Sequence, residues 1–211
     1  LTEGKVTGYE VAKQTGISRS NAYNSLASMT EKGAAYLVEE ASTRKYVPVP
    51  LNEFCKNRIR KLEEFGKWLQ EHMPMEKAYV EGYITIEGAE NILNKIKNLL
   101  SQVDQRVYIS CTRNYLLLLI RELDTLMEER KKVVIITDQP ATFHNAKVYF
   151  GENRGMQIGI IADSKYVLTG EYGEGSMNTC LYSGQKNFVE LYKTALANEI
   201  KLLSIREENK D

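Results

Sequence analysis

Residues 7–33, TGYEVAKQTGISRSNAYNSLASMTEKG, decide the fold of the N-terminal part of the chain. Thr7 and Glu10 have the spacing of a capping box, in which a hydroxyl and a carboxylate three residues later each bind the other's backbone amide. Gly16 stands where a helix C′ residue is expected, because glycine adopts the left-handed conformation without strain. Ser18 can cap a second helix. The stretch therefore predicts two short helices joined by a tight turn.

The second of these helices has one apolar face and one polar face. The apolar side chains recur at helical spacing and are Ala22, Tyr23, Leu26 and Met29. The polar face consists of Ser18, Arg19, Ser20, Asn21, Asn24, Ser25 and Ser28. No Asp or Glu lies between Ser18 and Thr30, where a carboxylate would repel a phosphate backbone. The face is either an ordinary solvated surface or one that reads nucleic acid.

A two-stranded hairpin is predicted to follow the two helices. The strand-like runs AAYLVEE (34–40) and RKYVPVP (44–50) flank a polar tip. Helix, turn, helix and hairpin form the plan of a winged helix-turn-helix, whose second helix enters the DNA major groove. There Arg can bind guanine and Asn can bind adenine, while Ser hydroxyls hold phosphates. The predicted DNA-binding residues are Ser18, Arg19, Ser20, Asn21 and Asn24 on the helix and Arg44 and Lys45 on the wing.

Residues 51–72 have a helical pattern of their own. Apolar residues at a/d-like spacing, interrupted by Arg58, are Leu51, Cys55, Leu62, Phe65 and Leu69. The stripe is either a seam between two copies of the chain or a surface packed on its own domain, and we favour a dimer-forming linker. The Met-Pro-Met sequence at 73–75 marks a domain boundary. We therefore predict a winged helix over 1–50, a linker helix over 51–74 and a second domain over 75–211.

The second domain alternates strands with helices and then gives a cluster of strands. Strands are predicted at 78–86, 106–110, 132–137, 146–150, 156–162, 165–170 and 177–183. Helices are predicted at 89–103, at about 115–129 and at 185–205. This order predicts an α/β sheet with helices on its faces, so that the whole chain combines an α+β and an α/β part.

The composition excludes a strongly basic domain. The 211 residues contain 28 Lys and Arg and 28 Asp and Glu. Any nucleic-acid surface must therefore be a local patch. The longest apolar run, YLLLLI at 115–120, is far too short to cross a bilayer, and no signal peptide is evident. We expect no membrane association and a cytoplasmic location.

The cysteines and histidines give no sign of a metal or redox site. Cys55, Cys111 and Cys180 are scattered, without a C-x-x-C pair, and are predicted to be buried small side chains. The two histidines lack ligand spacing, which argues against a metal, and no cofactor is expected. His72 would interact with the dipole at the end of the linker helix.

The N-terminal segments also resemble the TrmB family of prokaryotic transcriptional regulators, over roughly residues 5–72. The resemblance is carried by the Gly-Ile-Ser-Arg-Ser turn, the Tyr-x-x-Leu helix ending in Glu-Lys-Gly, TRKYVPVP and the long helix after it. KGAAYL departs from the usual KGLV. The resemblance implies sequence-specific binding of double-stranded DNA by a homodimer, with a C-terminal domain that senses a small molecule. Because the chain begins at Leu1, we expect that part of the first winged-helix element precedes it.

The C-terminal half resembles a phospholipase D-type domain. The segments that carry the resemblance are residues 87–110, 155–171 and 180–196. The enzyme motif is His-x-Lys-x-x-x-x-Asp followed by a Gly-Ser turn, in which His attacks phosphorus and Lys stabilises the developing charge. When Asp163 is aligned with the motif Asp, Met156 and Ile158 occupy the His and Lys positions. Gly170 would keep the turn and Glu171 replaces its Ser, so no catalytic residue is predicted.

A rival alignment uses His144, Lys147 and Glu152. Its spacing is one residue longer than the motif. In a strand, a spacing of two keeps His and Lys on one face, whereas a spacing of three puts them on opposite faces. We therefore do not assign His144 a catalytic role.

A ligand pocket without catalysis is expected where the sheet strands end. The predicted effector-binding residues are Ser110, Thr112, Arg113, Asp138 and Glu171. The alternative is that Arg113 and the two carboxylates form a surface ion pair. Met156 and Ile158 would give the pocket an apolar floor, which argues against free phosphate as its ligand.

These inferences predict a dimeric winged-helix transcription regulator that is not an enzyme. Its degenerate C-terminal domain would bind a small-molecule effector or strengthen dimerisation. The alternative is a phosphodiesterase or nuclease of the phospholipase D type that uses the winged helix to find DNA. A third interpretation is a C-terminal domain that only dimerises.

Overall fold

The chain forms two compact units, Leu1–Lys77 and Ala78–Asp211, which are described separately. The computed structural model describes residues 4–40, 43–73, 82–139, 143–152, 154–173 and 177–208. The predicted boundary at 73–75 and the start of the strand predicted at 78–86 lie largely outside these ranges.

The first unit has the predicted winged helix-turn-helix plan. Its elements are α1 Gly8–Thr15, α2 Arg19–Glu31, β1 Ala35–Glu40, β2 Thr43–Pro48 and α3 Leu51–His72. The capping box is present, since the Thr7 N–H donates to Glu10 Oε2 at 2.7 Å and the Glu10 N–H donates to Thr7 Oγ1 at 3.2 Å. Gly16 closes α1 at φ 74°. The Ser18 Oγ accepts the Asn21 N–H at 3.2 Å, so the predicted second cap is confirmed.

Packing between α1 and α2 depends on small residues. Ala12 and Ala22 are buried, and a Cβ on Gly8 would lie 2.5 Å from the Tyr23 ring. Tyr23 therefore lies along α1 and remains 43% exposed, although the periodicity predicts it in the apolar stripe. Val6 adds a short antiparallel bridge to Tyr46 of β2, which the sequence pattern does not predict.

The helix predicted at 51–72 is confirmed as α3, and none of its side chains is buried within the described structure. Tyr36 Oη donates to Glu53 Oε1 at 2.5 Å and attaches β1 to the first turn of the helix. Leu62 and Phe65 are 71% and 55% exposed. Cys55 is exposed, so the prediction that all three cysteines are buried is wrong at this position.

The second unit contains a seven-stranded mixed sheet between helical layers. Its strands are β3 Tyr83–Glu87, β4 Arg106–Ser110, β5 Lys132–Thr137, β6 Ala146–Phe150, β7 Gln157–Ala162, β8 Tyr166–Glu171 and β9 Thr179–Ser183. Its helices are α4 Ala89–Ser101, α5 Arg113–Leu117, α6 Ile120–Glu128 and α7 Lys186–Glu208. The predicted fold class, a winged helix, a long helix and an α/β sheet domain, is confirmed.

The helix predicted at 115–129 is two helices. Helix α5 ends at Leu117 and α6 begins at Ile120. Leu116 and Leu119 are both buried in the core on either side of this break. The apolar periodicity continues across it, so the pattern alone does not reveal the interruption.

The strand order is β3–β9–β8–β7–β4–β5–β6. Strands β4, β5 and β6 are parallel, and β7 pairs antiparallel with β4. Because β7–β8, β8–β9 and β3–β9 are also antiparallel, β3 and β8 run in the same direction as β4. The ends of β4, β5, β6 and β8 and the start of β7 therefore meet at one edge of the sheet, which we call the carboxyl edge.

Alternation along the strands divides the core between the two faces of the sheet. One face packs against α4, α5 and α6 and carries Val107, Ile109, Val133, Ile135, Ile158, Ile160 and Leu168. The other packs against α7 and carries Val134, Ile136, Tyr149, Ile161 and Val167. Since the central strands are buried on both faces, they read as continuous apolar runs in the sequence.

Gly170 lies within β8, so the turn predicted there is wrong. It pairs with Ile158 of β7 and Cys180 of β9. A Cβ at this position would lie 2.2 Å from the Thr179 carbonyl oxygen. The glycine is therefore required by close backbone approach inside the sheet. Glu171 is the last residue of β8.

Asp163, which aligns with the motif Asp, lies in the turn after β7 at the edge opposite the carboxyl edge. Its φ of 50° is left-handed. Its carboxylate accepts the backbone N–H groups of Asp104, Gln105 and Arg106 at 2.8, 2.8 and 2.9 Å. Burial raises the pKa of Asp163, but these three hydrogen bonds outweigh burial and hold the pKa below its ordinary value. The residue fixes the loop that leads into β4.

Replacing Asp163 is expected to destabilise the protein in a pH-dependent way. Asp163→Asn tolerates the left-handed backbone but loses charge-assisted acceptors, which should lower the free energy of unfolding by about 1–2 kcal/mol at neutral pH. Because the native pKa is depressed, this contribution is complete above the ordinary value of 3.8 and disappears as the pH falls through the lower native value. Urea unfolding at several pH values measures the difference in the free energy of unfolding between wild type and Asp163→Asn.

Asp124→Asn, which changes an exposed carboxylate on α6, is the control for that experiment. A difference between wild type and Asp163→Asn that stays constant down to pH 2 would contradict the role of the carboxylate charge.

Candidate nucleic-acid interface and candidate effector pocket

The polar face of α2 is exposed at the positions that the sequence selects. Arg19, Ser20, Asn21 and Asn24 are all exposed and lie in the first two turns of the helix. Ser18 is also exposed, and its Oγ is already the cap acceptor for Asn21. The first turn of α2 has no acidic residue, so nothing in it opposes an approaching phosphate.

Arg19 has a neighbour that the sequence analysis misses. Its Cζ lies 4.4 Å from the centroid of the Tyr9 ring, which belongs to α1 and is 48% exposed. A guanidinium over an aromatic face is attracted by the ring quadrupole, and this restricts its position. The pair is ten residues apart and crosses the turn, so helical spacing within one element does not reveal it.

The predicted cations of the wing are paired with carboxylates of β1. Arg44 Nε lies 3.4 Å from Glu39 Oε1, directly across the hairpin, and Lys45 Nζ donates to Glu40 Oε2 at 2.9 Å. Lys5 makes a second ion pair with Glu40. Three cations therefore face two carboxylates, and the wing carries a smaller positive charge than its sequence suggests.

Glu40 keeps its negative charge under all ordinary conditions. Hydrogen bonds from Lys5 and then Lys45 lower the pKa of Glu40 to about 2. A phosphate that binds Lys45 must therefore compete with a permanently charged carboxylate. This competition could be anticipated only from the hairpin register, which sets Glu39 opposite Arg44 and Glu40 opposite Thr43.

The structure brings the predicted effector residues to the carboxyl edge of the sheet. Ser110 ends β4, Thr112 and Arg113 begin α5, Asp138 follows β5 and Glu171 ends β8. Asp138 Oδ1 accepts the backbone N–H of Arg113 at 2.9 Å. The predicted proximity of Arg113 and Asp138 is therefore observed, and it includes a backbone hydrogen bond.

Arg154 also lies at this edge, and the sequence analysis does not predict it. It is 8% exposed, donates through Nη1 to Ser110 Oγ and forms an ion pair with Glu199 of α7. Its Nε is buried without a hydrogen-bond partner among the described groups. A Cβ on Gly151 would lie 2.6 Å from Arg154 Nη2, so glycine provides the space for the guanidinium. Ser110 is therefore bound from within the protein.

Aromatic and apolar side chains lie beside these polar groups. Tyr115 and Tyr172 meet edge to face with ring centroids 4.9 Å apart. Met156 is 39% exposed, and a Cβ on Gly173 would clash with both Met156 and the Tyr115 hydroxyl. Ile158 is 2% exposed and belongs to the core beneath. Of the two residues predicted as a floor, Met156 alone reaches the surface to any extent.

Cys111 lies next to this cluster but is not suited to nucleophilic chemistry. It is fully buried, and burial raises its pKa to about 12, with Arg154 acting in the opposite direction and Asp138 in the same direction. A thiol with this pKa is protonated at neutral pH, whereas the thiolate is the nucleophile. Cys180 is similar, since burial raises its pKa to about 11.

His144 lies far from the carboxyl edge, where the candidate effector residues are. His144 lies in the turn before β6, at the edge opposite Met156, and Lys147 lies on the α7 face of that strand. In the described part of the chain, no group of three His, Cys, Asp or Glu side chains is arranged to hold a metal ion. In the same part, no helix is long and apolar enough to cross a membrane.

Comparison with known sequences identifies the N-terminal part of the chain. Residues 1–52 match the family model described as sugar-specific transcriptional regulator TrmB. The uncharacterized protein YrhO of Bacillus subtilis (strain 168) is 30% identical over 152 residues, which are 71% of this chain and 55% of YrhO. The chain thus spans about half the length of the curated relative that it matches.

Two solved structures are similar to this chain, one over most of its length and one over part of it. TrmBL2, described as an archaeal chromatin protein with a novel mode of DNA binding, has a TM-score of 0.51 at 16% identity, covering 95% of this chain and 88% of TrmBL2. NucT from Helicobacter pylori has a TM-score of 0.46 at 16% identity, covering 57% of this chain and 97% of NucT. The chain has the fold of TrmBL2, and its residues 1–52 match the TrmB family model, as the sequence resemblance predicts.

Proposed function

We propose that this protein is a sequence-specific DNA-binding transcriptional regulator that acts as a homodimer and responds to a small-molecule effector. The observation that carries the proposal is the exposed polar face of α2, which has Arg19 in its first turn and no acidic residue there. The match of residues 1–52 to a family of transcriptional regulators and the DNA binding stated for TrmBL2 support it.

In this proposal α2 is the recognition helix. Arg19 and Asn21 reach base edges in the major groove, where Arg binds guanine and Asn binds adenine. Ser18 and Ser20 contact phosphates together with the amides at the start of α2. Because Tyr9 holds the Arg19 guanidinium, less conformational entropy is lost when Arg19 binds a base.

We further propose that α3 joins two copies of the chain. Its apolar stripe follows heptad spacing over three heptads, and large side chains along it are exposed. Leaving these apolar side chains exposed to water is unfavourable, whereas a second copy of the same stripe would bury them. A dimer would also place two recognition helices on a two-fold symmetric site.

The effector is proposed to bind at the carboxyl edge of the second unit, in contact with Thr112, Arg113, Asp138 and Glu171. Ser110 would act through Arg154, because its hydroxyl oxygen is bound by that guanidinium. Effector binding would then change DNA affinity by the coupling free energy between the sites, typically about 1–3 kcal/mol. Thr112 follows the buried Cys111, so the carboxyl edge is joined directly to the core at this point.

We propose that the second unit has the phospholipase D-like fold without its catalysis and that the protein acts in the cytoplasm. Met156 and Ile158 stand at the positions of the motif His and Lys, and neither can attack phosphorus or stabilise a phosphoryl charge. Incubation with bis-p-nitrophenyl phosphate is expected to release no nitrophenolate above the uncatalysed rate. Turnover that disappears in a His144→Ala variant would favour the phosphodiesterase interpretation instead.

Selection of genomic fragments with the purified full chain tests the proposed function. Sequencing of the bound fragments and gel shifts at two salt concentrations are expected to give a two-fold symmetric site. If no sequence is enriched and no shift occurs even at low salt, the winged helix does not serve DNA recognition.

Arg19→Ala is expected to weaken binding to the selected site by about 1–3 kcal/mol and to relax specificity at one base pair. Affinity for unrelated DNA should change much less. Lys32→Ala, at the far end of α2, is the matched control. Unchanged affinity for the selected site in Arg19→Ala would exclude base reading by this residue.

The role of the wing can be tested by removing its cations and, separately, by removing a carboxylate that pairs with them. The double substitution Arg44→Ala and Lys45→Ala should weaken binding to all DNA sequences and lower the slope of log K against log salt, because fewer counterions are released. Glu40→Gln should strengthen binding and steepen the slope, since Lys5 and Lys45 lose their internal counterion. Salt titrations by fluorescence anisotropy measure both. Identical slopes in all three proteins would remove the wing from the interface.

The α3 seam predicts the oligomeric state. Leu62→Glu and Phe65→Glu should convert the dimer to a monomer, because each places a carboxylate in the apolar interface. Lys67→Glu, on the opposite side of α3, should leave the dimer intact. Light scattering coupled to size exclusion reports the mass. A wild-type monomer, or dimers for both stripe variants, would refute the seam.

A further inference from the structure

A groove of about 380 Å³ lies between α7 and the sheet, at the edge opposite the carboxyl edge. Its volume is in the range of small-molecule pockets. Four cationic residues line it, Arg106, Lys132, Lys147 and Lys193, together with Tyr108 and Tyr149. No acidic residue is among the described residues that form its lining. The groove is therefore an electropositive cleft in a chain whose overall charge is zero.

Three of the cations come from adjacent strands and share one face of the sheet, and the fourth, Lys193, belongs to α7. Arg106 of β4 pairs directly with Lys132 of β5. Lys147 of β6 lies one row further, in register with Val134 and Tyr108. Like charges side by side on a sheet are destabilising. Within the described part of the chain, no ion pair offsets the charge of Arg106 or Lys132, so an anionic ligand would relieve their repulsion.

Protection of a sheet edge does not explain this arrangement. Lysine on an edge strand prevents unwanted strand pairing, and β6 is an edge strand, so Lys147 fits that role. Strands β4 and β5 are internal. Arg106 and Lys132 are the first residues of these neighbouring strands, and both are exposed and therefore accessible to a ligand in the groove.

Tyrosine rings position two of the ammonium groups. Lys132 Nζ lies 5.8 Å from the centroid of the Tyr108 ring, and Lys147 Nζ lies 5.0 Å from that of Tyr149. These contacts restrict the positions of the two amines. Lys132 makes no ion pair within the described part of the chain. The neighbouring Lys131 provides a contrast, because it lies within 4.0 Å of carboxylates from Asp104 and Glu129 and does not line the groove.

The walls of the groove are apolar. Val134 and Ile161 of the sheet and Leu196 of α7 are each at most 5% exposed. Ala197 of α7 also lines the groove, and its small side chain leaves space there. A ligand that fits this lining has negative charge at one end and a flat or apolar body at the other. Inorganic phosphate would use the cations and leave the walls uncovered.

We propose that this groove binds a nucleoside phosphate, with its phosphoryl groups on Arg106, Lys132, Lys147 and Lys193 and its base against the apolar walls. The site is separate from the carboxyl edge, and its occupancy does not depend on whether the first unit binds DNA. Lys193 also pairs with Glu190 on the exposed side of α7 and is therefore the cation whose release must accompany binding.

Isothermal titration of the full chain with ADP, pyrophosphate and adenosine tests the proposal without DNA. ADP is expected to bind saturably and at least about tenfold more tightly than pyrophosphate, because the base buries apolar surface. Adenosine, which lacks the phosphates, should show no binding. ADP affinity should also fall as the salt concentration rises.

The double substitution Lys132→Gln and Lys147→Gln should weaken ADP binding by more than about tenfold, since two charge-assisted contacts are lost. Lys131→Gln and Lys201→Gln should bind ADP like the wild type. Lys131 directly precedes β5 and Lys201 lies on α7, and neither residue lines the groove. Far-UV circular dichroism checks that each variant is folded.

Several outcomes would overturn the proposal. Absence of saturable ADP binding would do so, as would equal affinities for ADP and pyrophosphate, because the walls would then have no role. An equal loss of affinity in Lys201→Gln would show general charge attraction. Loss of DNA affinity in the Lys132/Lys147 double variant, with no ADP binding, would instead make the groove part of a DNA surface.

Discussion

The antiparallel pairing of β7 with β4 in the centre of the sheet is the constraint on which the second unit depends. It sets the start of β7 beside the ends of β4 and β5, and the end of β7 beside the start of β4. Six strand residues span roughly 20 Å, so the groups before and after β7 cannot meet. One edge of the sheet therefore collects Met156, Ser110 and Asp138, while the other collects Asp163 and the cationic groove.

This separation gives Asp163 a structural role that does not depend on the residues at the carboxyl edge. Asp163 accepts hydrogen bonds from three backbone amides and stabilises the loop into β4, whichever residue occupies position 156. Met156 is 39% exposed and Ile158 is in the core, where an apolar side chain is stabilising. The two edges therefore have separate roles, since Asp163 fixes a loop whereas Met156 and Ile158 contribute apolar side chains. At the carboxyl edge, Arg154 with Ser110 and Glu199 supplies the polar bonding instead.

The sequence predicts those features that depend on local signals. The two caps of the first unit, the 22 residues of α3 and the strands of the second unit follow from capping residues and apolar periodicity. Contacts between distant residues were not predictable, because one sequence contains no signal that couples them. Tyr9 with Arg19, Ser110 with Arg154 and the requirement for Gly170 belong to this class. The break between α5 and α6 was missed for a different reason, since its leucines are buried on both sides and preserve the periodicity.

Local charge pairing decides how each unit can treat an anion, and the zero net charge of the chain conceals it. On the wing, Glu39 and Glu40 act as internal counterions of Arg44, Lys45 and Lys5. A phosphate at the wing must compete with these carboxylates, whereas the first turn of α2 has no acidic residue. In the groove beside α7, the Tyr108 ring lies against Lys132, and Lys132 makes no ion pair within the described part of the chain. The two surfaces thus use similar residues differently: carboxylates of the same hairpin accompany the wing cations, whereas Arg106 and Lys132 of the groove make no ion pair within the described part of the chain.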